Sequence, residues 1–233
     1  MFKQDLIRNA FASVDRALRA ASVAEIGGFR PPVDSLTSWF GGHFSMRRDE
    51  PWPSNEHGPL IPLLQVLVTD LPDVPPPLRP FALIQVFIDN SELPLDLPAS
   101  SGSGWLLKTY DTLQGLAPQP CPPSANLLRP FPVQWRLSPA DAPSWDDAWG
   151  HDRSHDAFVE LEDAIDLFHD RYKGLHRTKV GGWPSWIQSS FPGGRDFVMQ
   201  ITSEEKPRWM AGDNGNLYIF HEDGQWRLVW DCY

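Results

Sequence analysis

Apolar positions along the chain follow two periodicities. Ile7, Phe11, Val14, Leu18 and Ala21 recur at helical spacing, with Arg8, Asp15, Arg16 and Arg19 on the other faces. This predicts an N-terminal amphipathic helix, closed by Gly27-Gly28 and Pro31-Pro32. From there to residue 140 the apolar residues come in short runs, Leu63–Val68 and Phe81–Ile88, with weaker ones at Trp105–Leu107 and Val133–Leu137. Such runs predict strands, and Pro75-Pro76-Pro77 and the prolines at 118, 120, 122 and 123 predict extended connectors. A helical stripe then returns at Phe158, Leu161, Ile165, Phe168 and Tyr172, with acids on the other faces and Gly174 placed to cap its C-terminus. Strands are again predicted at Phe197–Thr202, Leu217–His221 and Trp226–Trp230, joined by turns at Asp213-Asn214-Gly215 and Glu222-Asp223-Gly224.

The two parts share an order of residues. Phe40-Gly41-Gly42, Gln65 and Phe87 in the first are matched by Val180-Gly181-Gly182, Gln200 and Phe220 in the second, each set following a predicted helix. Chance similarity between generic strands is one explanation; the other is duplication. The pattern predicts one α+β domain over residues 1–233, made of two related sheet-containing halves at about 1–140 and 141–233. An N-terminal helix and a central acidic amphipathic helix accompany them. The glycine pairs read as turns and the two glutamines, set in apolar strands, as backbone-bonding groups.

The composition is that of a folded chain: 41% apolar residues and 11 tryptophans exceed what a disordered segment carries. No apolar run is long enough to span a membrane and the N-terminal region has no signal-like apolar stretch, so a cytoplasmic location is expected. Cys121 and Cys232 read as free thiols, with a single long-range bridge as the alternative. Charge changes the picture most. Between Asp141 and Asp170 there are ten acids and one base, Arg153, so this window holds −9 of a net −10. Direct nucleic-acid binding is disfavoured and a basic partner is favoured.

Candidate chemistry is sparse. His151 and His155, four apart with Asp147 or Asp152 nearby, have metal-ligand spacing, but no third ligand is fixed and Gly150 intervenes; a solvated acidic loop is the plainer reading. Asp213-Asn214-Gly215-Asn216 lacks the frame of a calcium loop and reads as a hairpin turn. There is no GxSxG elbow, and neither His43 nor His57 has an acid at a telling sequence distance. The expectation is no metal, no cofactor and no enzymatic activity. Trp145 and Trp149, set among carboxylates, are the tryptophans expected at the surface. With Asp146, Asp147, Asp152, Asp156, Glu160 and Asp163 they form the candidate contact surface.

Lys179-Val-Gly-Gly-Trp-Pro-Ser-Trp-Ile-Gln188 resembles the KxGGYPxxxQ signature of the YwqG-like family, a bacterial domain of unknown function. Met199-Gln200-Ile201, Gly212-Asp213-Asn214-Gly215 and the terminal Trp230-Asp231-Cys232-Tyr233 fit the same order. So do Ser38-Trp39-Phe40-Gly41-Gly42, Pro51-Trp52-Pro53, Leu64-Gln65 and Leu71-Pro72, though His43 stands where the family usually has proline. The resemblance covers roughly residues 1–233. It implies a two-part α+β fold without established catalytic residues, and similarity to immunity proteins of type VI secretion nuclease effectors. The expected function is therefore binding and neutralisation of a cognate nuclease toxin by covering its active site. The alternatives are a small-molecule enzyme or binding protein using a cleft between the halves, lined by the glycine pairs, Trp183 and Trp186, and a structural protein whose acidic helix is a solvated face.

Overall fold

In the computed structural model, residues 2–31, 36–42, 44–95, 97–152, 163–188 and 196–233 are described. Residues 19–26 show why strand pairing governs this fold. Helical spacing predicts a helix closed by Gly27-Gly28, yet the first helix, α1 (Phe2–Ala17), stops earlier and Arg19–Ile26 is an extended strand, β1. It pairs antiparallel on one edge with β11 (Phe131–Asp141) and on the other with β12 (Lys179–Gly181). A strand hydrogen-bonded on both edges and buried along most of its length gains enough from its neighbours to override the indifferent β propensity of Arg-Ala-Ala-Ser-Val-Ala-Glu-Ile.

Around β1 an eleven-stranded antiparallel sheet extends in both directions. Beyond β11 come β2 (Ser38–Phe40), β6 (Ile61–Leu67), β7 (Leu83–Ile88) and β9 (Trp105–Tyr110). Beyond β12 come β13 (Phe197–Thr202), β14 (Asn216–Glu222), β15 (Gln225–Asp231) and β8 (Ala99–Ser100). Short ladders form apart from it, β3 (Ser45–Arg47) with β10 (Leu116–Pro118) and β4 (Ser54–Asn55) with β5 (Gly58–Pro59). The outermost strands, β8 and β9, are neighbours in sequence, and residues 101–104 stitch them together. Ser101 N donates to Trp226 O, Gly102 N to Trp105 O, and Leu107 N to Ser101 Oγ. The sheet thus closes almost into a barrel.

Both faces of the central strands are covered, so they read as continuous apolar runs. On β7, Ile84, Val86 and Ile88 enter the main interior core, while Phe87 on the opposite face packs with Phe44, Met46 and Leu60 under the 44–60 loops. On β14, Leu217 and Ile219 join the interior; Tyr218 and Phe220 face Phe197 and Val229.

The expected α+β fold of two halves is corrected here. The described residues hold fifteen strands in a mostly β structure and three short helices: α1, α2 (Trp145–Asp152) and α3 (Ala164–Arg171). The helices do not divide one to a half. Ala10 and Val14 of α1, Ala148 of α2 and Phe168 of α3 share one small core, so sequence-distant helices form a single layer outside the sheet. Phe158 and Leu161 of the expected second helix lie outside the described residues. That helix ends on an extended Tyr172 whose N–H bonds to Phe168 O, not on a left-handed Gly174. Among the described residues no helix is long and apolar enough to cross a membrane.

Candidate functional site

The acidic segment folds through its own caps. Ser144 begins α2: its Oγ accepts from Asp147 N (3.0 Å) and donates to Asp147 Oδ2 (2.8 Å). Trp186 Nε1 donates to the same oxygen at 2.9 Å. Asp147 is consequently only 4% exposed, and burial pushes its carboxyl pKa upward. It ties α2 to the loop that follows β12 instead of facing outward. Trp145 is half-buried, its ring edge-on to Phe168 with centroids 5.2 Å apart. It packs the helical layer.

The other candidates separate clearly. Asp146 and Asp163 are exposed, as are Asp166 and Asp170 on α3, and among the described residues none of these four forms an ion pair. Ile165 stands between them, 54% exposed. The backbones of Trp149 and Asp152 belong to α2, but their side chains, together with Asp156 and Glu160, lie outside the described residues. The opposite side of α3 is tied to α1: Arg171 pairs with Asp15 at 2.7 Å, and Tyr172 OH donates to Asp15 Oδ1 at 2.7 Å.

The glycine pairs and glutamines form two corresponding clamps. Gln65 Oε1 accepts from Ser45 N (2.8 Å) and its Nε2 donates to Thr37 O (2.9 Å). Gln200 Oε1 accepts from Ser185 N (2.8 Å) and its Nε2 donates to Arg177 O (3.2 Å). Both glycine pairs have positive φ throughout. At Gly182 an added Cβ would strike the Asp141 carboxylate, so the turn needs glycine for space as well as conformation.

That carboxylate belongs to a sealed ionic node. Lys179 and Asp141 have fully buried side chains, with Nζ 2.7 Å from Oδ2. Nζ also donates to Ser185 Oγ (3.0 Å), and Trp183 N donates to Asp141 Oδ2 (2.9 Å). Burial pulls the lysine pKa down and Asp141 opposes it. Trp183 is 3% exposed and Trp186 packs against Tyr218 at 4.4 Å, so neither lines an open cleft with the glycine pairs.

Sequence reasoning missed a different pair. Asp89 Oδ2 lies 2.9 Å from His57 Nδ1 and also accepts from Asn55 Nδ2; Ser91 N and Oγ both donate to Oδ1 at 2.8 Å. These bonds hold the Asp89 carboxyl near pKa 2 despite its burial, and the carboxylate raises the pKa of His57. The pair flanks a cleft of about 520 Å³ that also touches Leu93, Pro94 and Gly102–Gly104. The residues are 32 apart in sequence, and only the turn-forming Asn55-x-His57 and Asp89-x-Ser91 pairs hint at the site. A second cleft, about 430 Å³, opens at one rim of the sheet between the end of β1 and the 176–178, 202–206 and 214–216 segments. Among the described residues no cluster of His, Cys, Asp and Glu is placed to hold a metal ion. Asp213 sits in a turn in which Gly215 N donates to Ala211 O.

Comparison with known families draws these features together. The model of a domain of unknown function, DUF1963, matches residues 38–224, four-fifths of the chain. The chain belongs to the DUF1963 family. No curated protein matches it. The DUF1963 match opens at β2 and closes in the β14–β15 turn, so it includes both clamp glutamines, the Lys179–Asp141 node and the acidic helices.

Proposed function

We propose that this DUF1963 protein is a cytoplasmic immunity protein that binds a cognate toxin, a type VI secreted nuclease, and covers its active site. The observation that carries the reading is the set of exposed carboxylates on α2 and α3, Asp146, Asp163, Asp166 and Asp170, which no described cation neutralises. A nuclease gathers phosphates with Lys and Arg. Four unneutralised carboxylates on one face complement that field and accelerate encounter, by about 10- to 1000-fold for strongly steered pairs. The half-exposed Ile165 supplies an apolar contact amid the acids. Asp147 and Trp145 act behind this surface, one pinning α2 and the other packing beneath α3.

The test pairs this chain with each secreted nuclease whose gene neighbours its own. Co-expression rescues growth, and changing the four acids to Asn slows association most at low salt while leaving thermal unfolding near wild type. Failure of rescue sinks the immunity reading; rescue with an unchanged association rate moves the contact off this face.

A further inference from the structure

The rim cleft of about 430 Å³ brings together groups of both charges, each already held in place. Glu204 reaches it from the end of β13. Its Oε1 accepts from Thr178 Oγ1 (3.2 Å) and Thr202 Oγ1 (3.1 Å), while among the described residues its Oε2 has no hydrogen-bond donor and no cation within ion-pair distance. Thr178 Oγ1 in turn accepts from Thr202 N at 3.1 Å, so the carboxylate is preset. Asn216 lies beside it and is only 4% exposed. Its Nδ2 donates inward to Ser185 O and Tyr218 OH, both at 3.1 Å, and among the described residues no donor reaches its Oδ1. An amide oxygen open to the cleft and a half-satisfied carboxylate are two acceptors that complement an ammonium.

Two cations line the same cleft, and their charge opposes the upward push of burial on the Glu204 carboxyl. Arg177 Nη2 donates to Ala24 O (3.2 Å) and Lys206 Nζ to Ile26 O (2.6 Å), which fixes both cations against the end of β1; among the described residues their side chains make no other hydrogen bond. His176 is kept toward its neutral form by burial and the nearby Lys179. Glu204 and Glu205 against Arg177 and Lys206 leave the lining close to electrical balance. Such a lining complements a molecule that carries both charges. Ala24, Ile26 and Ile187 add apolar surface.

We infer that this cleft binds a free α-amino acid with an apolar side chain, its ammonium on Glu204 and Asn216 and its carboxylate on Arg177 and Lys206. The volume falls in the range of small-ligand sites. The site is separate from the acidic helical face, and the inference does not rest on the toxin reading.

Leucine, N-acetyl-leucine and leucinamide are the probes, titrated into ¹⁵N-labelled protein while amide shifts are followed. With leucine, shifts centred on residues 176–178, 202–206 and 214–216 should saturate with a Kd at or below about 1 mM, and each capped compound should bind about tenfold more weakly or worse. Glu204→Gln preserves the threonine bonds and should cost about tenfold in leucine affinity; Lys206→Met, which leaves Glu204 untouched, should do the same. The inference fails if leucine up to about 10 mM moves none of these amides, if the capped compounds bind as well as leucine, or if both variants bind leucine unchanged.

Discussion

Replacing Asp141 by Ala tests the buried node directly. The carboxylate lies 2.7 Å from Lys179 Nζ and accepts from Trp183 N at 2.9 Å and Leu175 N at 3.3 Å; both charged side chains are fully buried. Removing it leaves an ammonium in the interior with Ser185 Oγ as its remaining side-chain partner. Breaking a buried pair in this way costs about 3–5 kcal/mol, mostly because the surviving charge is uncompensated. For a chain of this size that corresponds to a fall in Tm of about 6–20 °C. Urea unfolding at neutral pH gives the free energy, and scanning calorimetry gives Tm. Asp141→Ala combined with Lys179→Met removes both charges, and should recover about 2 kcal/mol or more of the single-variant loss. A loss below about 1 kcal/mol in Asp141→Ala, or a double variant weaker than the single one, would refute the view that the node fixes the 181–188 loop through paired charge.

Other expectations follow from neighbouring features. Trp145→Ala should cost about 2 kcal/mol by opening the α2–α3 packing against Phe168, read by urea unfolding, and should leave the toxin association rate unchanged. Gly182→Ala should destabilise strongly, because the new Cβ meets the Asp141 carboxylate at a positive φ; a near-wild-type Tm would contradict this. His57 has a folded pKa above its ordinary value, so whatever stability it contributes is fully present below the unfolded pKa and lost as pH rises through the folded one. Asp89 is depressed to about 2, so its contribution is present above the ordinary carboxylate pKa and lost as pH falls toward 2. An NMR titration should show the His57 pKa falling in Asp89→Asn.

Local features were legible and long-range ones were not. The runs at 63–68, 197–202 and 217–221 became β6, β13 and β14 because a strand buried on both faces must be apolar throughout. Gln65 and Gln200 were readable as backbone-bonding groups because a polar amide in such a run must find partners. Strand order was hidden. That β1 joins β11 to β12, and so merges both parts into one sheet, depends on pairings more than a hundred residues apart. Within the acidic segment, charge density was plain, but which acid turns inward was set by Trp186, 39 residues beyond Asp147. Nothing in the spacing announced that contact, or the 32-residue separation of His57 and Asp89.

The central place of β1 has a consequence for synthesis. The strand leaves the ribosome more than a hundred residues before either of its two partners, which begin at Phe131 and Lys179. At ordinary translation rates it waits roughly ten seconds for the first of them and longer for the second. Through that interval a strand destined for the interior has both hydrogen-bonding edges unfilled, a template for pairing with another nascent chain. Synonymous codon changes that slow translation between residues 30 and 130 should therefore lower soluble yield without altering a single amino acid, and a chaperone that shields the N-terminal region should restore it.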